Sequence, residues 1–342
     1  MSTSAKTEVK RAPLTPPRRT AMRWLLDAGL RRNMGLILAL ILLGAVGVFT
    51  AGDRFADSNN MMTIVRLAAV TGVVSIGATF VITIAGIDLS VGAILALSAV
   101  WASTLSGQVF AENTHWIFMV FTAMLIGTLA GLVNGILIAY GKVVAFITTL
   151  AMMAAARGLA EIISDKKTQI ITVDGFLETI GGDLLGIPVI VLIFIAVSLG
   201  GWVLLNRTTF GRRTFAIGGN PEAARLAGVK VERHTMMIYA LAGLCAGIGA
   251  VMLMARTTTG SATHGTGLEL DVIAAVVIGG TLLTGGRGSI FGTVLGVLIF
   301  STLTNIFTLN NLSLSVQLVA KGAIIVIAVL IQRQLAARQS RT

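Results

Sequence analysis

The amino-acid sequence predicts an all-α membrane protein with about ten transmembrane helices in two pseudo-repeated halves and both termini in the cytoplasm. Three observations carry that expectation. Of 342 residues, 55% are hydrophobic and only 12% charged, with a mean hydropathy of +0.89; soluble domains carry about 25% charged residues. The apolar residues gather into runs near the roughly 20-residue length that crosses a hydrocarbon core. Lys and Arg are shared unequally between the segments that separate those runs, as positive-inside topology requires.

Residues 1–33 are polar and basic, with Pro13, Pro16 and Pro17 opposing a stable helix before Thr20. The run from Met34 to Gly52 is too long for a signal-peptide core and lacks a small-x-small cleavage site, so it reads as the first span. Further spans are expected near 61–85, 91–107, 116–140, 143–163, 187–205, 235–255, 269–284, 289–307 and 314–331. The third and eighth are short, and each adjoins a glycine-rich break. The membrane-spanning body is therefore 34–331, with a cytoplasmic loop at 206–234 and tails at 1–33 and 332–342. With the N-terminus inside, inner segments hold 19 Lys and Arg, six of them in the 206–234 loop, and outer segments hold 4. That distribution places the net charge of +11 against a bilayer and excludes nucleic acid as partner.

Within that loop, residues 220–228 read as a short capped helix. Asn220 suits an N-cap, Pro221 the first helical position, Glu222 the first turn and Gly228 the C-terminal stop. Ala223, Ala224 and Arg225 fill it. A faint repeat links Ala85–Leu95 to Gly285–Leu295, with glycines matched at 86/286 and 92/292. Paired glycine-interrupted segments in the two halves of a transporter point to the substrate route.

Catalysis finds no support. The chain has no P-loop for nucleotide, no paired carboxylates and no metal-ligand spacing, since His115, His234 and His264 fall in separate predicted loops. Cys245 is the only cysteine and excludes an intrachain disulfide. No cofactor and no metal are expected. Glycines recur every four residues at 127, 131 and 135, again at 288, 292 and 296, and as the pair 243 and 247, a spacing that lets helices approach closely. Asn134, Thr148, Thr149 and Asn305 are polar groups at membrane depth. They either line a path for a hydroxylated solute or bond helix to helix. Arg157 and Glu161 are four apart and suited to pair; Arg66 and Lys321 are suited to snorkel. Asp88 and Ser90, after Gly86, suit the cap of the third span.

Five segments together resemble the permease subunits of ribose-type ABC importers, a family that includes xylose, arabinose and galactose permeases. They are GIDLSVGAILALSA (86–99), GLVNGILIAYGKVVAFITTLAMM (131–153), TTFGRRTFAIGGNPEAARLAGVKVER (208–233), GTGLELDVIAAVVIGGTLLTGGRGSIFGTVLGVLI (265–299) and VAKGAIIVIAVLI (319–331). The resemblance implies about ten spans and a paired, preferably homodimeric, permease in the cytoplasmic membrane. It also implies two ATPase subunits inside and a sugar-binding protein outside. On that reading Glu222-Ala223-Ala224 with Gly228 looks like the coupling loop of ABC importers, and Phe146 joins Asn134, Thr148, Thr149 and Asn305 as the candidate path. The chain departs from the family where Val144-Ala145 precede Phe146 in place of the usual proline, and where Asn305-Ile306 replaces Asn-Gly. A nucleoside or branched-chain amino acid is the alternative cargo, and an ion-coupled secondary transporter the alternative class.

Overall fold

The computed structural model describes residues 18–339, so residues 1–17, with the leader's three prolines, lie outside the described residues. The chain is helical nearly throughout. It opens with α1 (Arg18–Ala51), the single-turn α2 (Asp53–Ala56), α3 (Ser58–Thr83), α4 (Val91–Ala102), α5 (Leu105–Asn113), α6 (Ile117–Ala139) and α7 (Ala145–Ser164). A short strand β1 (Gln169–Ile170), α8 (Asp174–Gly181) and the two-residue strands β2 (Asp183–Leu184) and β3 (Ile187–Pro188) lead into α9 (Val189–Arg207), α10 (Thr209–Gly219), α11 (Pro221–Leu226) and α12 (Val231–Thr257). After β4 (Thr259–Gly260) come α13 (Leu268–Ile278), α14 (Ile290–Leu309) and α15 (Leu314–Gln339). β1 pairs antiparallel with β4, and β2 with β3.

Each of the ten apolar runs coincides with a helix or a helix pair. Among the described residues, seven helices are long and apolar enough to cross a membrane, or eight when α4 and α5, bent by 57° at residues 103–104, count as one. The chain is therefore a multi-pass helical membrane protein. Three of the ten expected runs fall outside those seven: the third, the eighth and the tenth. The third is α4 with its bend at Ser103–Thr104, and the eighth stops at Ile278, where a loop replaces the helix expected to reach 284. The described part of the tenth run is the apolar helix Leu314–Ile327.

The core is made by α3, α4, α6 and α12. α3 and α12 are buried along most of their length, because other helices surround them on all sides. α6 and α12 approach so closely that glycine is required. A Cβ on Gly131 would meet the Tyr239 carbonyl oxygen and, at 2.9 Å, the Gly243 Cα; one on Gly127 would meet the Gly243 carbonyl; one on Gly135 would lie 2.7 Å from Met236 Cα. Backbone thus packs on backbone, and dispersion replaces the hydrophobic drive that lipid cannot supply. Gly131→Val is expected to cost about 2–3 kcal/mol by overpacking, measured as a lowered thermal midpoint in detergent.

Several polar groups inside the bundle bond helix to helix. Asn60 and Asn305 exchange two amide hydrogen bonds, 3.1 and 2.7 Å, tying α3 to α14. Thr79 and Thr293 hydroxyls share a bond of 2.8 Å between the same helices. Lys321 does not snorkel; it donates to both Asp271 oxygens at 3.1 and 2.9 Å, fixing α15 to α13. Arg66 reaches Asp183 at 3.4 Å. Arg157 makes no ion pair with Glu161; its guanidinium donates to the Ala262 and His264 carbonyls, because the loop 261–267 comes within its reach. His234 lies inside α12, not in a loop. It is buried against α10, with Nε2 at 2.9 Å from Thr214 Oγ1, since α12 begins four residues earlier than the apolar run.

Candidate functional site

The short capped helix is α11. Asn220 Oδ1 accepts from Ala223 N at 3.0 Å, Pro221 opens the helix, and Gly228 follows it at φ +82°, a left-handed position that favours glycine. Ala224 is buried with Ile217 and Val231, so one face of α11 is pinned to α10 and α12. The opposite face is free: Leu226 is 91% exposed. Arg225 donates to Glu222 at 2.5 Å and to Glu232 at 2.8 Å. Those two carboxylates, Glu222 first, hold the Arg225 guanidinium above its ordinary range. The result is a small rigid protrusion, apolar at its tip and flanked by both charges.

What lies beneath the protrusion gives it consequence. α10, which precedes it, ends at Gly218–Gly219 against both glycine-rich breaks. A Cβ on Gly218 would meet the Thr83 carbonyl oxygen and, at 2.5 Å, Gly286 N. Gly286 N itself donates to Thr83 O at 2.9 Å, and a Cβ on Gly285 would lie 2.9 Å from Ala85 Cβ. The two breaks, 200 positions apart in sequence, meet each other at the foot of α10. They also share a backbone feature, with φ +61° at Ala85 and +81° at Gly285. Gly288 packs on Thr83, and Gly292 and Gly296 pack on Gly279 and Ala275, so α13 and α14 touch through backbone there.

The first break carries a buried polar cluster. Asp88 Oδ1 accepts from Ser90 N at 2.9 Å and from Ser90 Oγ at 2.5 Å, and Asn134 Nδ2 donates to Ser90 Oγ at 2.9 Å. The carboxylate therefore shapes the turn before α4, and no side chain caps the first turn of that helix. Gly86 sits beneath the Tyr239 hydroxyl, and Gly92 lies against Gly265 and Glu269. Thr148 and Thr149 bond back to their own helix at Val144 O and Ala145 O. Phe146 is exposed. The five expected path residues are thus dispersed: Asn134 at the first break, Thr149 on α7 reaching Ile87 there, Thr148 buried on α7, Phe146 at the surface, and Asn305 held by Asn60.

Sequence reasoning missed Gly218, Thr83 and Leu226. The run Gly218-Gly219-Asn220 was the available signal for a close approach beside the capped helix. Among the described residues no group of three or more His, Cys, Asp or Glu could hold a metal ion.

A multi-pass helical bundle, interrupted at two breaks that meet and bearing a rigid protrusion over them, has the architecture of a membrane permease. The chain belongs to the family described as branched-chain amino acid transport system / permease component, which matches residues 60–329. It is 42% identical over 308 residues to the ribose import permease protein RbsC of Bacillus subtilis, covering 90% of this chain and 94% of that one. It is 36% identical to RbsC of Escherichia coli K12, covering 91% and 97%. Against the L-arabinose transport system permease protein AraH of Escherichia coli K12 it is 39% identical, covering 87% and 89%. No solved structure gives a significant match.

Proposed function

We propose that this chain is the transmembrane permease subunit of a binding-protein-dependent ABC importer in the cytoplasmic membrane. Its cargo is a monosaccharide or a related small polyol. Two copies pair as a homodimer, a separate ATPase binds inside, and a sugar-binding protein delivers solute outside. Ten spans and two cytoplasmic termini accompany this reading, supported by the 19-to-4 distribution of Lys and Arg.

The observation that carries the reading is the backbone contact of Gly218 with Thr83 and Gly286. A motor gripping α11 at Glu222, Arg225 and Leu226 moves α10 as one piece, and at Gly218 the backbone of α10 rests directly on the backbone of both breaks. Close packing transmits such a displacement without loss, because interiors rearrange between discrete arrangements and do not stretch. The names of the sugar permeases it resembles support the cargo.

Reconstitution tests this directly. Proteoliposomes holding the permease, its ATPase and the binding protein are expected to accumulate labelled pentose only with ATP. The permease alone, under a proton or sodium gradient, is expected to accumulate none. Uptake driven by the gradient would replace this reading with secondary transport, and uptake of leucine or a nucleoside in place of sugar would change the cargo.

A further inference from the structure

At the end of the bundle opposite α11 lies a cavity of about 380 Å³, between α3, α12, α14 and the segment that leads into α13. It lies within the range of small-molecule sites, roughly 300–1,000 Å³. α12 begins beside α11 and reaches the cavity with Leu253, Arg256 and Thr257, a distance of roughly 35 Å along the helix. The far wall is the loop 263–266, which Arg157 holds by its grip on the Ala262 and His264 carbonyls, and which is pressed onto α4 where Gly265 meets Gly92. The wall is therefore built, not slack.

Its lining has a specific chemistry. The hydroxyls of Thr71 and Ser301 have no hydrogen-bond partner among the described residues, although both sit where a partner within the helix is the ordinary outcome. The Arg256 guanidinium has no carboxylate partner among the described residues. Asp271 offers acceptor oxygens, with its charge balanced by Lys321. The cavity thus presents a fixed donor, a fixed acceptor and two hydroxyls able to act either way, with the Phe300 ring among them. Vicinal hydroxyls need that set, since each both donates and accepts. An apolar solute would leave the two hydroxyls and the guanidinium unpaired at a cost of about 1–3 kcal/mol each.

We propose that this cavity is a way-station for an uncharged polyhydroxylated solute, pentose to hexose in size, inside each permease subunit. The proposal rests on the permease reading above and locates part of the route within one subunit. It also supplies a link between cargo and motor. The cavity wall at Leu268 and Asp271 continues as α13, whose end at Gly279 packs on Gly292 and runs into the break that touches Gly218. Solute at one end and the coupling helix at the other act on the same rigid element.

The test uses full-length permease with its ATPase and binding protein in proteoliposomes, with D-ribose and L-arabinose as probes. The double variant Thr71→Val/Ser301→Ala keeps shape and removes the free hydroxyls; uptake at saturating binding protein is expected to fall about tenfold. Thr71→Ser, which restores a hydroxyl, is expected to keep most of the wild-type rate. A variant that elutes as aggregate is replaced by the second measurement. There Ser301→Cys in a Cys245→Ala background is modified by a small thiol reagent, and the accepted sugar is expected to slow that modification about fivefold. Wild-type uptake by the double variant would overturn the proposal. So would modification that neither sugar slows, or that leucine or phosphate slows instead. Failure of the wild-type assembly to import any sugar would overturn the cargo reading itself, which the other outcomes leave standing.

Discussion

Gly218→Val is expected to leave the permease inserted and stable while cutting ATP-driven uptake at least tenfold. The reason is geometric. The glycine Cα lies so close to the Thr83 carbonyl and Gly286 N that even a first side-chain carbon has no room. Insertion of extra atoms in a packed site costs about 1–3 kcal/mol. Here the cost is met by moving α10 off the two breaks, since α10 is a short surface helix and the breaks are embedded in the bundle. The hydrogen bond from Gly286 N to Thr83 O is expected to lengthen or break with it. The measurement is paired: sugar uptake and ATP hydrolysis by the same reconstituted complex. Hydrolysis that continues while uptake falls is the expected signature of a slipped linkage. Parallel loss of both would assign Gly218 to assembly of the complex, and unchanged uptake would remove the backbone contact from the mechanism.

The second large effect is expected at Glu222. Glu222→Lys sets a cation three residues before Arg225, where the native structure has an ion pair of 2.5 Å. It also removes an acidic group from the first turn of α11, where the helix dipole favours one. The free permease loses little, because the pair is solvent-exposed and screened by water. The docked complex loses much more, because the charge at the contact position is reversed, and like charges brought together at an interface cost several kcal/mol. Uptake is expected to be abolished with the permease present in the membrane at wild-type level. Deleting Pro221–Gly228 is expected to do the same. Co-purification of the ATPase is the check: retention of the ATPase with full uptake would exclude α11 as the contact.

The legible parts of this fold are those that hydropathy reports. Runs of twenty apolar residues have one solution in lipid, and α1, α3, α6, α7, α9, α12 and α14 followed from it. Hydropathy does not report where a run of apolar residues stops being helical. Residues 272–278 are apolar throughout, yet α13 ends at Ile278 because Gly279 must press onto Gly292 and the chain then turns through the left-handed Gly280, Gly285 and Gly286. α10 was hidden for the converse reason. Its composition is that of a loop, and its helical signal is only the buried set Gly211, Thr214 and Ile217 at three-residue spacing. The capped helix α11 was readable because caps are local chemistry. Its purchase on the breaks was not, since Gly218, Thr83 and Gly286 are neighbours only in three dimensions. The dispersed polar residues fared worst, because a sequence cannot tell an asparagine that lines a path from one that, like Asn305, is satisfied by another asparagine.

The bond between Thr83 and Gly286 has a consequence for how the protein is made. Its acceptor is synthesised early and its donor roughly two hundred residues later, a delay of about 10–40 s at ordinary ribosomal rates. For that interval the first half of the nascent chain waits in the bilayer with its most important turn unfinished. Its emergence as a native unit depends on the last third of the message being translated.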